Sequence, residues 1–161
     1  MPILTKHDII AAAYLGLIGF EKEPKIGATS VKVKIGQLME APSGKPLPLK
    51  DGYWLIEPQG FYLFEVKDEC YLKSGFHGQI HSRSGWARYG LASRDADDDF
   101  SGGQAIWNQY KGKPLCTLKS LGTAVKVRPD DAIAQMHLAY DGFIPLRDED
   151  DFWIIITNIN I

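Results

Sequence analysis

The fold is constrained most by how finely turn-forming residues cut the second two-thirds of the chain. Short runs rich in β-branched and aromatic residues occupy positions 53–56, 61–66, 70–72, 76–82, 104–110, 115–118, 124–127, 132–138 and 152–156. Glycine, proline, aspartate, asparagine or serine separates many of them, and Pro58-Gln59-Gly60 makes a turn between the first two. Segments of this length, bounded in this way, read as strands, and many short strands in one chain point to a sandwich or barrel. The expected class is therefore mainly β, a distorted jelly roll or β-barrel. One short N-terminal helix precedes it.

That helix is expected over 4–16. Thr5 suits the N-cap, Asp8 falls in the first turn, Ile9, Ile10, Ala13 and Tyr14 recur near helical spacing, and Gly16 or Gly19 can end it. Positions 29–35 then alternate, with Lys32 and Lys34 outward and Val31, Val33 and Ile35 inward, as in a half-buried strand. Positions 41–52, with Pro42, Gly44, Pro46, Pro48 and Gly52, read as a loop.

A length of 161 residues suits a single domain over 1–161 with a core that needs no staples. The formal net charge of -2 argues against a nucleic-acid backbone binder, so any phosphate recognition has to be local. Cys70 and Cys116 lie far apart without metal-ligand spacing, which suits a reducing cytoplasm and argues against structural zinc. His77 and His81 sit four apart in strand-like sequence and read as surface residues of the sheet rather than ligands. No run has the length of a transmembrane helix, and the N-terminus lacks the apolar core of a signal peptide. The expectation is a soluble cytoplasmic protein without a membrane partner.

The stretch 78–90, Gly-Gln-Ile-His-Ser-Arg-Ser-Gly-Trp-Ala-Arg-Tyr-Gly, reads as a strand running into one helical turn. If the turn starts after Gly85, Ser84 caps it, and the unpaired N–H groups favour an anion. Arg88, four residues beyond Ser84, lies on the same helix face and can bring its guanidinium to that anion. Read differently, the stretch is an ordinary strand-to-loop turn with solvated arginines. Likewise Asp95, Asp97, Asp98 and Asp99 read by themselves as a solvated acidic turn.

Taken in order, these segments resemble the dCTP deaminase and dUTPase superfamily, and the start is closer to the deaminase branch. Ile3-Leu4-Thr5-Lys6-His7-Asp8-Ile9 resembles that branch's opening, residues 26–36 its first strand motif, and residues 54–65 with Glu57-Pro58-Gln59-Gly60-Phe61 its next hairpin. Arg83 to Leu91 resembles the phosphate-binding motif. Asp97-Asp98-Asp99-Phe100-Ser101-Gly102 is similar to the hairpin that holds deoxyribose and base, and residues 129–136 to the late motif whose glutamine reaches the phosphates. The resemblance implies a homotrimer with active sites between subunits and a pyrimidine deoxynucleoside triphosphate as ligand, carrying Mg2+ on its phosphates. It implies phosphate contacts from Arg83, Ser84, Gly85, Arg88 and Gln135. It further implies sugar and base contacts from Asp97 and Phe100, with Asp97 holding the attacking water.

The sequence also departs from that pattern. The glutamate used for deamination falls on Trp107, and no glutamate occurs between Glu69 and Glu149. Neither Trp107 nor its neighbours Ile106 and Asn108 can act as a base near neutral pH. Lys32 stands where the first motif carries aspartate, and the segment between Arg88 and Asp97 is short. The end of the chain, 151–161, has no glycine and reads as an apolar strand that should pair rather than stay exposed. Three readings follow: a nucleotide-processing enzyme in which Asp97-assisted hydrolysis is favoured over deamination, a nucleotide-binding module without chemistry, and a structural trimer of the same fold.

Overall fold

The computed structural model describes residues 3–73, 75–92, 104–106 (as backbone) and 110–140. In chain order it contains α1 (Lys6–Tyr14), β1 (Ile18–Phe20), β2 (Val31–Val33), β3 (Ile35–Glu40), β4 (Trp54–Ile56), β5 (Phe61–Val66), β6 (Cys70–Leu72) and β7 (Phe76–Ser82). After these come α2 (Ser84–Ala87), β8 (Leu91–Ala92), β9 (Gln104–Ile106), β10 (Lys111–Gly112), β11 (Leu115–Ser120), β12 (Val125–Val127) and β13 (Ala134–Tyr140).

Helix α1 begins where a reciprocal cap can form. The Asp8 carboxylate accepts from the Thr5 N–H at 2.8 Å and the Thr5 hydroxyl at 2.7 Å, while the Asp8 N–H faces the Thr5 oxygen at 3.5 Å. Gly16 ends the helix at φ +72°, with its N–H bonded to Ala13 O and the Leu17 N–H to Ala12 O. That pair of bonds is a Schellman closure, which a residue with a Cβ enters only under strain. Of the residues that recur at helical spacing, only some face the core. Ile9 and Ala12 are buried, whereas Ile10, Ala13 and Tyr14 are exposed, because the buried stripe is set by Asp8, Ile9 and Ala12.

All pairings between the named strands are antiparallel, in sheets ordered β1-β6-β10, β3-β5-β11-β8, β12-β4 and β2-β13-β7-β9. The two four-stranded sheets give the jelly-roll character, and the described strands do not join into one continuous ring. Alternating residues such as Val31 and Val33, Phe64 and Val66, Phe76 and Ile80, Leu118, Met136 and Leu138 enter a common buried cluster. At roughly 1.5–3 kcal/mol for each large side chain taken from water, that cluster is the main stabilising term. The proline-containing loop 41–52 is fastened to it by the Trp54 indole, which donates to Leu47 O at 3.0 Å.

Strands β5, β6 and β7 have the bounds expected from sequence. Others shift for local reasons. The 29–35 strand is split at Lys34, and its second part runs on to Glu40 because β3 finds a partner in β5. The 132–138 strand starts only at Ala134, since Asp130 has φ +71° and the Ile133 N–H folds back to Asp131 O. Within 104–110 the described strand stops at Ile106. Positions 93–103, including Asp95, Asp97, Asp98, Asp99 and Phe100, lie outside the described residues, as do Trp107 and the 152–156 segment.

Candidate functional site

Antiparallel pairing of β2, β13 and β7 brings together residues that are remote in sequence. Gln135 on the central strand sits opposite Lys32 on one side and His81 on the other. Its amide is oriented at both ends. The Ser30 hydroxyl lies 3.2 Å from Oε1, and Nε2 donates to Ser82 O at 3.3 Å. An amide nitrogen carries two hydrogens, so one donor of Gln135 remains for a ligand.

At the end of β7 the chain turns into α2. The expected cap at Ser84 is incorrect: Arg83 is the N-cap, with extended backbone at φ -82° and ψ 143° and no side-chain capping bond. Ser84 is already helical, which leaves its exposed hydroxyl uncommitted to capping its own turn. The Arg88 N–H bonds to Ser84 O at 3.2 Å, so the two residues do stack one turn apart, and both are exposed. A Cβ built on Gly85 would meet nothing within 4 Å, so the chain's own packing gives no reason for glycine there.

The turn is anchored from below. Arg83 Nη1 and Trp86 Nε1 both donate to Ala132 O, at 2.7 and 3.1 Å. One carbonyl just before β13 thereby fixes both ends of the turn's inner side. Trp86 was not singled out from the sequence as an anchor, and only the amphipathic indole, an apolar ring with one N–H donor, hinted at such a role.

Beside Gln135 the His81 ring packs edge-on against His137, with centroids 4.6 Å apart. His137 Nδ1 lies 2.9 Å from Thr29 O; a carbonyl only accepts, so this nitrogen carries the proton. His81 Nε2 is buried and has no hydrogen-bond partner among the described residues. Burial, and then the neighbouring His137, push the His81 pKa down. His81 is thus a half-buried member of the sheet's outer face rather than a plain surface residue. Elsewhere, Cys70 and Cys116 are buried, and neither is in a disulfide. Burial, and secondarily Glu69, push the Cys70 thiol up to about 11, which removes it as a nucleophile near neutral pH.

Of the residues singled out from sequence, the structure thus places Arg83, Ser84, Gly85, Arg88 and Gln135 around the junction of β7, α2 and β13. Asp97 and Phe100 fall outside the described residues. Among the described residues no three His, Cys, Asp or Glu side chains converge as a metal centre, and no helix is long and apolar enough to cross a membrane.

A family model described as dCTP deaminase-like matches residues 10–140. No curated protein sequence matches the chain. Among solved structures, the 2′-deoxycytidine 5′-triphosphate deaminase of Agrobacterium tumefaciens is similar at 15% identity with a TM-score of 0.65, over 96% of this chain and 52% of that one. The present chain therefore spans about half the length of that deaminase. The EIAV dUTPase is similar at 13% identity and a TM-score of 0.56, over 83% of this chain and 96% of the dUTPase. A mutant dUTPase from phage phi11 of S. aureus gives 12% identity, the same TM-score of 0.56, and the same coverage of 83% and 96%. At such identities the likeness is one of fold.

Proposed function

The chain belongs to the dCTP deaminase-like family, and from that membership we propose that it processes a pyrimidine deoxynucleoside triphosphate. The observation that carries this reading is the convergence of Gln135, Lys32 and the Arg83–Arg88 turn at one end of a single sheet, with open space over Gly85. Phosphate oxygens can approach the Gly85 backbone without a clash. The Ser84 hydroxyl and the remaining Gln135 N–H donate to them, and Arg88 neutralises their charge. Arg83 has one nitrogen engaged by Ala132 O and can turn its other N–H groups outward.

Chemistry is assigned to Asp97, which would hold a water for attack at the phosphates, with Phe100 packing on the deoxyribose. Hydrolysis is favoured over deamination because Trp107 replaces the glutamate that deamination requires. Mg2+ enters with the triphosphate, screening its charge. The protein's part is to bind that complex in a homotrimer whose sites lie between subunits, and the setting is the cytoplasm. The same replacement at Trp107 supports a second reading, a nucleotide-binding or structural trimer that has lost chemistry.

The two are separated by incubating the protein with magnesium and each of dCTP, dUTP, dTTP and dATP, then resolving products by ion-exchange chromatography. Loss of phosphate from a pyrimidine nucleotide is expected, abolished in Asp97→Asn while calorimetry still shows nucleotide binding. Unchanged turnover in that variant removes Asp97 from the mechanism. Binding without any product selects the second reading.

A further inference from the structure

Beyond its first turn, α1 carries no charged residue: after Lys6, His7 and Asp8 come Ile9, Ile10, three alanines and Tyr14, with Leu15 as the C-cap. Ile9 and Ala12 enter the core, yet the side turned away from the core is apolar too. Ile10, Ala13 and Tyr14, spaced i, i+3 and i+4, make one stripe on that outer side. Ile10 is 47% exposed and Tyr14 89%. A surface helix ordinarily turns a polar face to water, and one that is apolar all round is covered on every side.

The path of the chain brings a cover close. Ala139 bridges Ile3, and the Leu4 N–H bonds to Leu138 O at 2.7 Å, so β13 delivers the chain beside the start of α1. The described residues end one position later, at Tyr140. Beyond it, Asp148, Glu149, Asp150 and Asp151 form an acidic run, followed directly by Phe152, Trp153, Ile154, Ile155 and Ile156. The helix presents matching chemistry in the same order. Lys6 is exposed in the first turn, where the unpaired N–H groups also favour negative charge, and the apolar stripe follows one turn later. The nine residues of α1 rise only about 14 Å. Residues 141–151 span up to about 36 Å when extended, so 152–156 can reach every part of the stripe.

We propose that residues 152–156 dock on the outer stripe of α1 in the same chain, with the acidic run 148–151 beside Lys6. Apolar burial of Ile10 and Tyr14 against the Phe152, Trp153 and isoleucine side chains supplies the attraction, and Tyr14 can pair its ring with either aromatic. A second copy of the chain fits this face less well. A stable contact between separate chains takes about 800 Å² on each partner, far more than a stripe on a helix of two to three turns offers. A tethered segment is held at high effective concentration, so a small stripe suffices for it. The docking needs no free sheet edge and no nucleotide.

Limited chymotrypsin digestion of the full chain tests this, with cleavage after Phe152 and Trp153 located by mass spectrometry. Cleavage there is expected to be slow in the wild type and at least tenfold faster in Ile10→Asp/Tyr14→Asp. It should stay within about twofold in Leu49→Asp/Leu55→Asp, a control at two leucines that are 45% and 44% exposed. Thermal melting checks that each variant folds. A reciprocal measurement stands even if the stripe variant does not fold. Thiol labelling of Tyr14→Cys should quicken at least tenfold when Trp153→Asp/Ile155→Asp is added, with Cys70 and Cys116 buried and out of reach. Under oxidation, Tyr14→Cys/Ile155→Cys is expected to close a disulfide within one chain. Cleavage as fast in the wild type as in the stripe variant overturns the proposal, as does labelling at position 14 that ignores the two aspartates. A disulfide that joins two chains instead would make a second copy the occupant and overturn the assignment to the same chain.

Discussion

The chemistry of His81 is set by its neighbours. Its Nε2 is buried without a partner among the described residues, and its ring meets His137 edge-on. Both burial and His137 lower its pKa in the folded state. An unfolded histidine takes its proton near pH 6.5, so below that value the unfolded state binds more protons than the folded one. The contribution of His81 is thus fully present above that value and is lost as the pH falls through it. Melting temperature followed from pH 7.5 to pH 5.5 should drop more in the wild type than in His81→Gln, which cannot titrate. Equal slopes would mean that other groups carry the acid sensitivity. None of this was legible in the sequence, where His77 and His81 stood out only for their spacing; the partner that matters, His137, arrives through strand pairing.

At the level of elements, α1 shows what local sequence can and cannot reveal. Thr5 as cap and Gly16 as stop follow from side-chain chemistry within a few residues, and both are present. The spacing of Ile9, Ile10, Ala13 and Tyr14 does not say which of them are buried, because which stripe of α1 packs inward is decided by the sheet it meets. Asp8 is only 3% exposed and accepts two bonds from Thr5. Asp8→Ala should therefore cost about 1–2 kcal/mol, as for loss of a capping interaction, and lower the melting temperature by about 2–4 °C per kcal/mol. Urea denaturation measures it directly, and a change below about 0.3 kcal/mol would show that the box contributes little. The same division holds at the candidate site. Strand β7 and the residues of its turn were legible from glycine and serine punctuation. The grip of Arg83 and Trp86 on Ala132 O and the clasp of Gln135 by Ser30 and Ser82 were not, since they join positions about 46–105 residues apart. Short strands such as β8 and β10, two residues each, exist only through their partners and leave no periodicity to read.

For the whole molecule, the apolar surface beside the α2 turn is the feature that calls for a partner. Tyr89, Leu121 and Phe61 are 66%, 52% and 50% exposed. They share one end of the β5-β11-β8 sheet: Phe61 pairs with Lys119, the Leu121 N–H bonds to Gly90 O, and the Thr123 hydroxyl bonds to Tyr89 O. Clustered exposed aromatic and leucine side chains of this kind mark contact surfaces. In the homotrimer proposed above the occupant is a second copy of the chain, which would also account for the exposed residues Ser84, Gly85 and Arg88 next to them, since a subunit boundary there would complete the phosphate site. The proposed homotrimer predicts a sedimenting mass three times the 18.0 kDa of the chain. Tyr89→Asp/Leu121→Asp places charges where apolar groups would be desolvated, at a cost of about 2 kcal/mol or more each if they are central to the contact. That variant should sediment as a monomer with unchanged far-UV circular dichroism and should lose nucleotide affinity along with the trimer. A monomeric wild type, or a trimer untouched by both aspartates, would place the subunit contact elsewhere and leave the α2 turn to bind its anion within one chain.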